Sequence, residues 1–224
     1  MFKPISDTRL LAECVSAEIL PGVSTVLDLC TGSGAVAIAA SLAGARAVAA
    51  VDVSRRAVWS TRLNALLNHA RVEVRRGDLV APFAERRFDL IAANPPYVPS
   101  GDRAAPVRGR ARAWEGGPDG RAVIDRICAS APARLEPGGA LLLVHSSWCG
   151  EAATLEALAG AGLEAEVLAR VPGPLGPLMS GRAGAIEGRR LIAPGTREEE
   201  LLVIGGRATA ADDAVQHGVT VPAA

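Results

Sequence analysis

Asn94-Pro95-Pro96-Tyr97 follows directly on the apolar run Phe88 to Ala93, which reads as a β-strand. A residue before proline is held extended, so Asn94 and Pro95 are both fixed. Neither proline carries an N–H, so no helix or ladder can start there. The Asn94 side-chain oxygen and the Pro95 carbonyl can then face an –NH2 group as paired acceptors. Tyr97 adds an aromatic face for a planar amide or base. The bland alternative is a turn with a buried tyrosine.

A second cluster, Asp28-Leu29-Cys30-Thr31-Gly32-Ser33-Gly34, sits at a strand-to-helix turn. Gly32 and Gly34 permit tight turns and close approach of a ligand. In open α/β sheets, ligands lie outside the carboxyl ends of the strands. Gly32 to Ala37 also fits the dinucleotide fingerprint G-x-G-x-x-A, with Asp52 where nicotinamide enzymes place an acid. On this loop alone a methyl-donor nucleoside, a nicotinamide dinucleotide and a plain turn all stay open. Asp52 can accept two ribose hydroxyls, and Asp78, in Arg76-Gly77-Asp78-Leu79, can accept an adenine amino group. Each acid alone could instead cap a helix or turn. Jointly with the glycine loop they favour a nucleoside laid across a sheet edge.

The elements that must position these residues alternate between strand and helix patterns, the sign of a parallel sheet covered on both faces. Thr8 to Leu20 reads as a helix with Ser6 or Asp7 as N-cap, stopped by Pro21-Gly22. Strands are expected at Val23–Leu29, Ala47–Val53, Val72–Arg75, Phe88–Ala93 and Ala140–Val144. Helices are expected from Gly34 through Ala43, over Arg55–Leu67, over Asp119–Leu135 and over Glu151–Ala161, with a turn at Pro137-Gly138-Gly139. Leu163–Val171 and Glu199–Ile204 follow without an intervening helix pattern, so they are expected to pair antiparallel. Residues 172–196, rich in Gly, Pro and Arg, read as a loop insertion or small flap. The domain is expected to span 1–206, and 207–224, poor in large apolar residues, to be a disordered tail.

Composition narrows the function. With 224 residues the chain is one domain with room for a sizeable core, which aromatics at 3% make aliphatic. Basic and acidic residues balance at 24 each, which weighs against holding a long duplex by its phosphates. Cys14, Cys30, Cys128 and Cys149 form no C-x-x-C pair, and His69, His145 and His217 stand at no metal spacing, so no metal site is expected. Neither a signal-peptide core nor a membrane-length apolar run is present, which implies a soluble, cytoplasmic protein. Cys30 reads as a small buried hydrophobe. Arg103, Arg108, Arg110, Arg112 and Arg121 read as a solvated basic loop, or else a patch for an acidic partner.

The set Asp28 to Gly34, Asp52, Asp78-Leu79 and Asn94 to Tyr97 resembles class I S-adenosylmethionine-dependent methyltransferases that modify planar nitrogen. Within these the chain is similar to the HemK/PrmC group, protein-glutamine N5-methyltransferases acting on the Gly-Gly-Gln motif of peptide release factors. Lys3-Pro4-Ile5-Ser6-Asp7-Thr8 resembles the P-x-x-D-T element of that group's short, archaeal and eukaryotic-type branch. Trp114-Glu115-Gly116-Gly117-Pro118-Asp119-Gly120 resembles its W-x-G-G-x-x-G segment. The likeness runs from about Lys3 to Gly205.

The resemblance implies a Rossmann-like seven-stranded methyltransferase sheet with helices on both faces and a final antiparallel hairpin. It implies S-adenosylmethionine held by Thr8, Asp28, Cys30, Gly32, Gly34, Asp52, Asp78, Leu79 and Asn94, and a substrate amide held by Asn94 and Pro95 beside Tyr97. Cys30 stands where the family's loop has its first glycine, which should narrow the room near the cofactor's methionine end. The five-helix N-terminal domain of the bacterial enzymes has no counterpart. The expected partners are a release factor as substrate and, as in other lineages, a small zinc-binding activator subunit, with neither membrane nor nucleic acid. Two rivals remain: an N6-adenine or other base methyltransferase using the same tetrad, and a catalytically silent binding paralogue.

Overall fold

Alternation with period two splits each central strand between two apolar layers. In β1 (Thr25–Leu29), Leu27 and Leu29 enter one core, while Val26 enters the other. The first layer is completed by α4 (Ile124–Ser130) and α5 (Glu151–Gly160), the second by α1 (Ser6–Ile19), α2 (Ala35–Leu42) and α3 (Arg55–Leu67). Strands buried on both faces must be aliphatic throughout, which explains β2 (Ala47–Asp52), β4 (Phe88–Ala93) and most of β5 (Leu135–Ser146). The short β3 (Glu73–Arg76) and the long pair β6 (Leu163–Pro174) and β7 (Glu198–Ala208) complete a seven-stranded sheet. Its order is β3-β2-β1-β4-β5-β7-β6, with β7 antiparallel to both β5 and β6. This is the class I methyltransferase arrangement. The computed structural model describes residues 6–19, 22–100, 104–106, 108–188 and 192–210. Lys3 to Ile5, Arg103 and His217 lie outside the described residues.

Several expectations shift. The helix expected over Asp119–Leu135 is confined to Ile124–Ser130. Gly120 takes φ +86° ahead of it, and Pro132, lacking an N–H, begins a separate 3-10 turn. Pro137-Gly138-Gly139 lies inside β5 as an irregularity opposite Phe88–Leu90. A Cβ on Gly139 would meet the carbonyl oxygens of Glu136, Phe88 and Asp89, so only glycine fits. The expected loop of 172–196 is partly regular: β6 runs on to Pro174, and the short helices α6 (Pro177–Ser180) and α7 (Ala183–Gly188) follow. As an edge strand, β6 can carry Pro172 and Pro174 without losing a ladder bond on both sides. Finally, β7 includes Arg207 and Ala208, which had been expected in the tail; Arg207 pairs with Glu18 on α1. Residues 211–224 lie outside the described residues.

Candidate active site

Between β1 and α2 the chain turns on a buried carboxylate. Asp28 is 1% exposed, and its Oδ2 accepts hydrogen bonds from the Thr31 hydroxyl at 2.5 Å and the Ala37 N–H at 3.2 Å. Burial raises its pKa to about 7, against the lowering effect of those two bonds. Asp28 is therefore a brace behind the loop and touches a ligand only through it. Gly34 takes φ +85°, and a Cβ there would lie 2.7 Å from Thr61 Cγ2. From α3, Thr61 donates to the Gly32 carbonyl, and Asn64, on the same helical face, donates to the Ser33 carbonyl. Cys30 has φ +57°, the left-handed region where glycine costs least. Its half-buried thiol packs on the core, and burial pushes its pKa far up, so it is no nucleophile.

Asp52 closes β2 beside this loop. Its Oδ2 accepts from the Gly32 N–H (3.1 Å) and its Oδ1 from the Ser54 N–H (2.8 Å). Burial raises its pKa, offset in part by those bonds. Ser54, not Asp52, is the N-cap of α3, accepting from the Ala57 N–H. Each carboxylate oxygen keeps a lone pair for a ligand. Next to it opens a cleft of about 330 Å³, lined by Val53, Arg76, Gly77, Asp78 and Arg112. The Asp78 side chain is exposed and ion-paired with Arg126 at 2.5 Å. Leu79 is buried in the core with φ +46°, so only its main chain can serve a ligand. An open cleft with a half-buried acid at one side and an exposed acid in its wall suits a nucleoside.

The tetrad lies across the sheet edge, after β4, and is held by the N-terminus of α1. The Asn94 Nδ2 donates to the Thr8 hydroxyl at 2.9 Å. The Thr8 hydroxyl and N–H both point at Asp7 Oδ1, at 3.3 and 2.5 Å. A hydroxyl that gives its one proton to a carboxylate must receive a donor from the far side. The Asn94 amide is thereby turned so that Oδ1 faces away from Thr8. Among the described residues, neither this Oδ1 nor the Pro95 carbonyl accepts a hydrogen bond. Asp7 Oδ2 accepts from the Tyr97 hydroxyl at 2.9 Å, and burial followed by the Asp7 charge holds that phenol well above its ordinary pKa.

From the other side the W-x-G-G-x-x-G segment presses on the tetrad backbone. A Cβ on Gly116 would lie 2.7 Å from the Pro96 oxygen, and one on Gly120 would lie 2.3 Å from the Tyr97 oxygen. The Val98 N–H donates to the Trp114 carbonyl at 2.7 Å, and the Cys149 thiol to the Tyr97 carbonyl at 3.2 Å. The segment's glycines are there because backbone meets backbone.

A sequence model for the methyltransferase small domain matches residues 6–108. A Methanocaldococcus jannaschii protein, provisionally named protein N5-glutamine methyltransferase, is 33% identical over 154 residues, 69% of this chain and 78% of that one. This chain belongs to the protein N5-glutamine methyltransferase family. A release factor glutamine methyltransferase of Mycolicibacterium smegmatis is 37% identical over 178 residues, 76% of this chain. The match spans 62% of that bacterial relative, under two thirds of its length. Among solved structures, the E. cuniculi Mtq2–Trm112 complex, which methylates the eRF1 termination factor, superposes with TM-score 0.62 at 25% identity. That match covers 93% of this chain and 98% of the other.

In this family member the expected site residues fall into two groups along one sheet edge. Cys30, Gly32, Gly34, Asp52, Asp78 and Leu79 gather at β1, β2 and β3, and Asn94, Pro95 and Tyr97 at β4. Thr8, expected with the cofactor, accepts a hydrogen bond from the Asn94 amide through its hydroxyl. Sequence reasoning missed Asp7, Thr61 and Asn64 as supports, and misread Arg121 as part of a solvated basic loop. The Arg121 side chain is only 12% exposed and donates to the Cys149 and Gly150 carbonyls and to Thr154. His145 is buried, its ring between the Ser146 carbonyl and Thr154, and burial lowers its pKa, so it is structural. Among the described residues no cluster could hold a metal, and no helix is long and apolar enough to cross a membrane.

Proposed function

We propose that the chain transfers a methyl group from S-adenosylmethionine to the side-chain nitrogen of a protein glutamine, with the Gly-Gly-Gln motif of a release factor as substrate. The observation that carries this reading is the Asn94 amide, oriented by Thr8 and Asp7 so that its oxygen, with the Pro95 carbonyl, is open to an –NH2 group. An amide nitrogen shares its lone pair with its carbonyl and is a poor nucleophile. Two acceptors drawing on its N–H bonds raise the electron density on nitrogen and aim it. Tyr97, pinned by Asp7, offers its ring to the flat amide.

Asp52 would hold the ribose and Asp78 the adenine edge of the cofactor, which supplies an electrophilic methyl group on sulfur. Transfer would form the N–C bond at the expense of the cofactor's S–C bond, with Asn94 and Pro95 holding the amide N–H groups and one amide proton passing on to water. The release-factor substrate rests on the relatives' names, and a cytoplasmic setting follows from such a substrate.

A partner subunit finds support in α3. Trp59, Leu63, Leu66 and Leu67 are all more than half exposed on it. Residues 54 to 72 include Arg55, Arg56, Arg62 and Arg71 and no acid, so like charge disfavours a second copy there. The occupant we assign is a small acidic activator subunit.

Mass spectrometry of a Gly-Gly-Gln release factor, with enzyme and cofactor, tests the proposal. The wild type should add one methyl group to the Gln. Asn94→Ala should lower turnover by on the order of a hundredfold, and Asp52→Ala should raise the cofactor Kd about tenfold. Transfer only to DNA or RNA adenine would overturn the substrate. No transfer to anything despite cofactor binding would point to a silent paralogue.

A further inference from the structure

Four residues in the wall of the cleft beside Asp52 come from the ends of β2 and β3: Val53, Arg76, Gly77 and Asp78. The fifth, Arg112, comes from elsewhere. It stands in the 3-10 turn Arg110–Ala113, which follows β4 and the tetrad. In the sheet β4 lies two strand spacings from β2, about 10 Å, with β1 between them. Arg112 therefore carries a side chain from the substrate half of the site into the cofactor half. The basic run around it is not uniform: Arg108 and Arg110 are exposed, whereas Arg112 is half-buried.

The backbone under Arg112 is fixed. The Ala111 carbonyl accepts from the Trp114 N–H at 3.0 Å and from the Glu115 N–H at 2.8 Å, which closes the turn. The next residues form a ladder with the end of the tetrad. The Trp114 carbonyl takes the Val98 N–H, and the Gly116 N–H donates back to the Val98 carbonyl at 2.9 Å. Arg112 is thus two residues from the ladder that holds Val98.

The rest of the lining narrows what Arg112 can do for a nucleoside. Asp52 and Asp78 lie where ribose hydroxyls and an adenine amino group would be taken. Gly77 has no side chain, and the Arg76 Nε donates to the Val53 carbonyl at 3.2 Å. A purine spanning the two acids can rest one face on Val53, and its other face needs a cover. A guanidinium is flat, weakly hydrated and drawn to π faces, so it covers a purine better than an ammonium does. Burial raises the Asp52 pKa, and the Ser54 and Gly32 N–H groups and the Arg112 charge oppose that rise, as a cation beside this cleft would.

We propose that the Arg112 guanidinium lies on the adenine face opposite Val53, and so fastens its 3-10 turn, and the Val98 ladder after it, over a filled cleft. This rests on the S-adenosylmethionine reading above. Arg112 is then a cofactor-binding residue supplied by the substrate half, and cofactor occupancy is felt where the tetrad ends.

Calorimetry with S-adenosylhomocysteine and with adenosine, on wild type and three variants, tests this. Arg112→Ala should weaken both ligands by the same factor, about fivefold, because the contact belongs to the adenine they share. Arg112→Lys keeps the charge but not the plane, and should bind as weakly as Arg112→Ala. Arg112→Phe keeps a plane without the charge, and should bind within about twofold of wild type. A purely structural ion pair predicts the opposite order, with Lys better than Phe. On the wild type alone, exchange of the Trp114 and Glu115 amide hydrogens should slow several-fold when S-adenosylhomocysteine binds, which keeps the test alive if a variant fails to fold. An unchanged Kd for Arg112→Ala, rescue by Lys rather than Phe, or amide exchange indifferent to the ligand would each overturn the proposal. If the wild type binds neither ligand, the cofactor reading itself fails, and this inference falls with it.

Discussion

Thr8→Val separates two roles for one side chain. Valine keeps the shape of threonine but replaces the hydroxyl with a methyl group, so the Asn94 Nδ2, now bonded to Thr8 at 2.9 Å, loses its acceptor. The half-buried amide then has no reason to keep its NH2 inward. In the flipped orientation its NH2 faces the substrate –NH2, donor against donor, and the pair of acceptors is lost. A net hydrogen bond in such a place contributes about 1 to 1.5 kcal/mol, so its loss takes a roughly tenfold preference for the productive orientation back to about parity. The expectation is a turnover number about twofold lower at saturating cofactor and substrate, intermediate between wild type and Asn94→Ala.

Single-turnover methyl transfer, with cofactor affinity measured by calorimetry, reads this directly. Cofactor Kd should change by less than about twofold, since the hydroxyl is engaged with Asn94 and Asp7. Thr8→Ser, which restores the hydroxyl, should restore the rate. The competing assignment, Thr8 as a cofactor ligand, predicts the reverse. A Thr8→Val enzyme with an unchanged saturated rate and a cofactor Kd raised tenfold would refute the orientation argument.

Asp28 gives the fold a pH dependence of unusual sign. Its pKa rises to about 7 on folding, so its stabilising contribution is fully present below about pH 4, the unfolded value, and is lost as pH climbs through about 7. Three pKa units correspond to at most about 4 kcal/mol, so wild-type Tm should fall across this window while Asp28→Asn stays flatter; parallel Tm curves would refute it. On α3, Trp59→Gln with Leu66→Gln should abolish co-elution with a small acidic partner subunit and leave the Tm of the isolated chain unchanged, because both side chains are about 70% exposed. Undiminished co-elution would place the partner elsewhere.

What could be read from the sequence was local along the chain. Asn94 to Tyr97 announces itself because two prolines fix the backbone within four residues, and Phe88–Ala93 is a strand with the boundaries its apolar run suggests. The supports of the tetrad come from far away: Thr8 is 86 residues from Asn94, and Asp7 is 90 from Tyr97. No spacing rule reaches that distance. Arg121 was hidden for another reason, since a charge pattern records the sign of a side chain but not the carbonyls that will surround it. The far end of β7 was hidden by Gly205-Gly206, which weaken a strand pattern. They are glycines because Leu168 and Leu163 lie where their side chains would be: a Cβ would come within 2.7 Å of Leu168 and 3.0 Å of Leu163.

The sheet order also separates the α6–α7 segment from the cofactor half. Asp28, Asp52 and Asp78 depend on β1, β2 and β3, which pair parallel and are braced from α2 and α3. The substrate half depends on β4 and on the single reversal of direction at β7. That reversal returns the β6-to-β7 connection to the edge where Asn94 stands, on the side of β5 away from the glycine loop. A longer or shorter connection there changes what lies over Tyr97 and Val98 while leaving every contact of Asp52 in place. Differences in this segment between family members should therefore appear in peptide KM rather than in cofactor affinity.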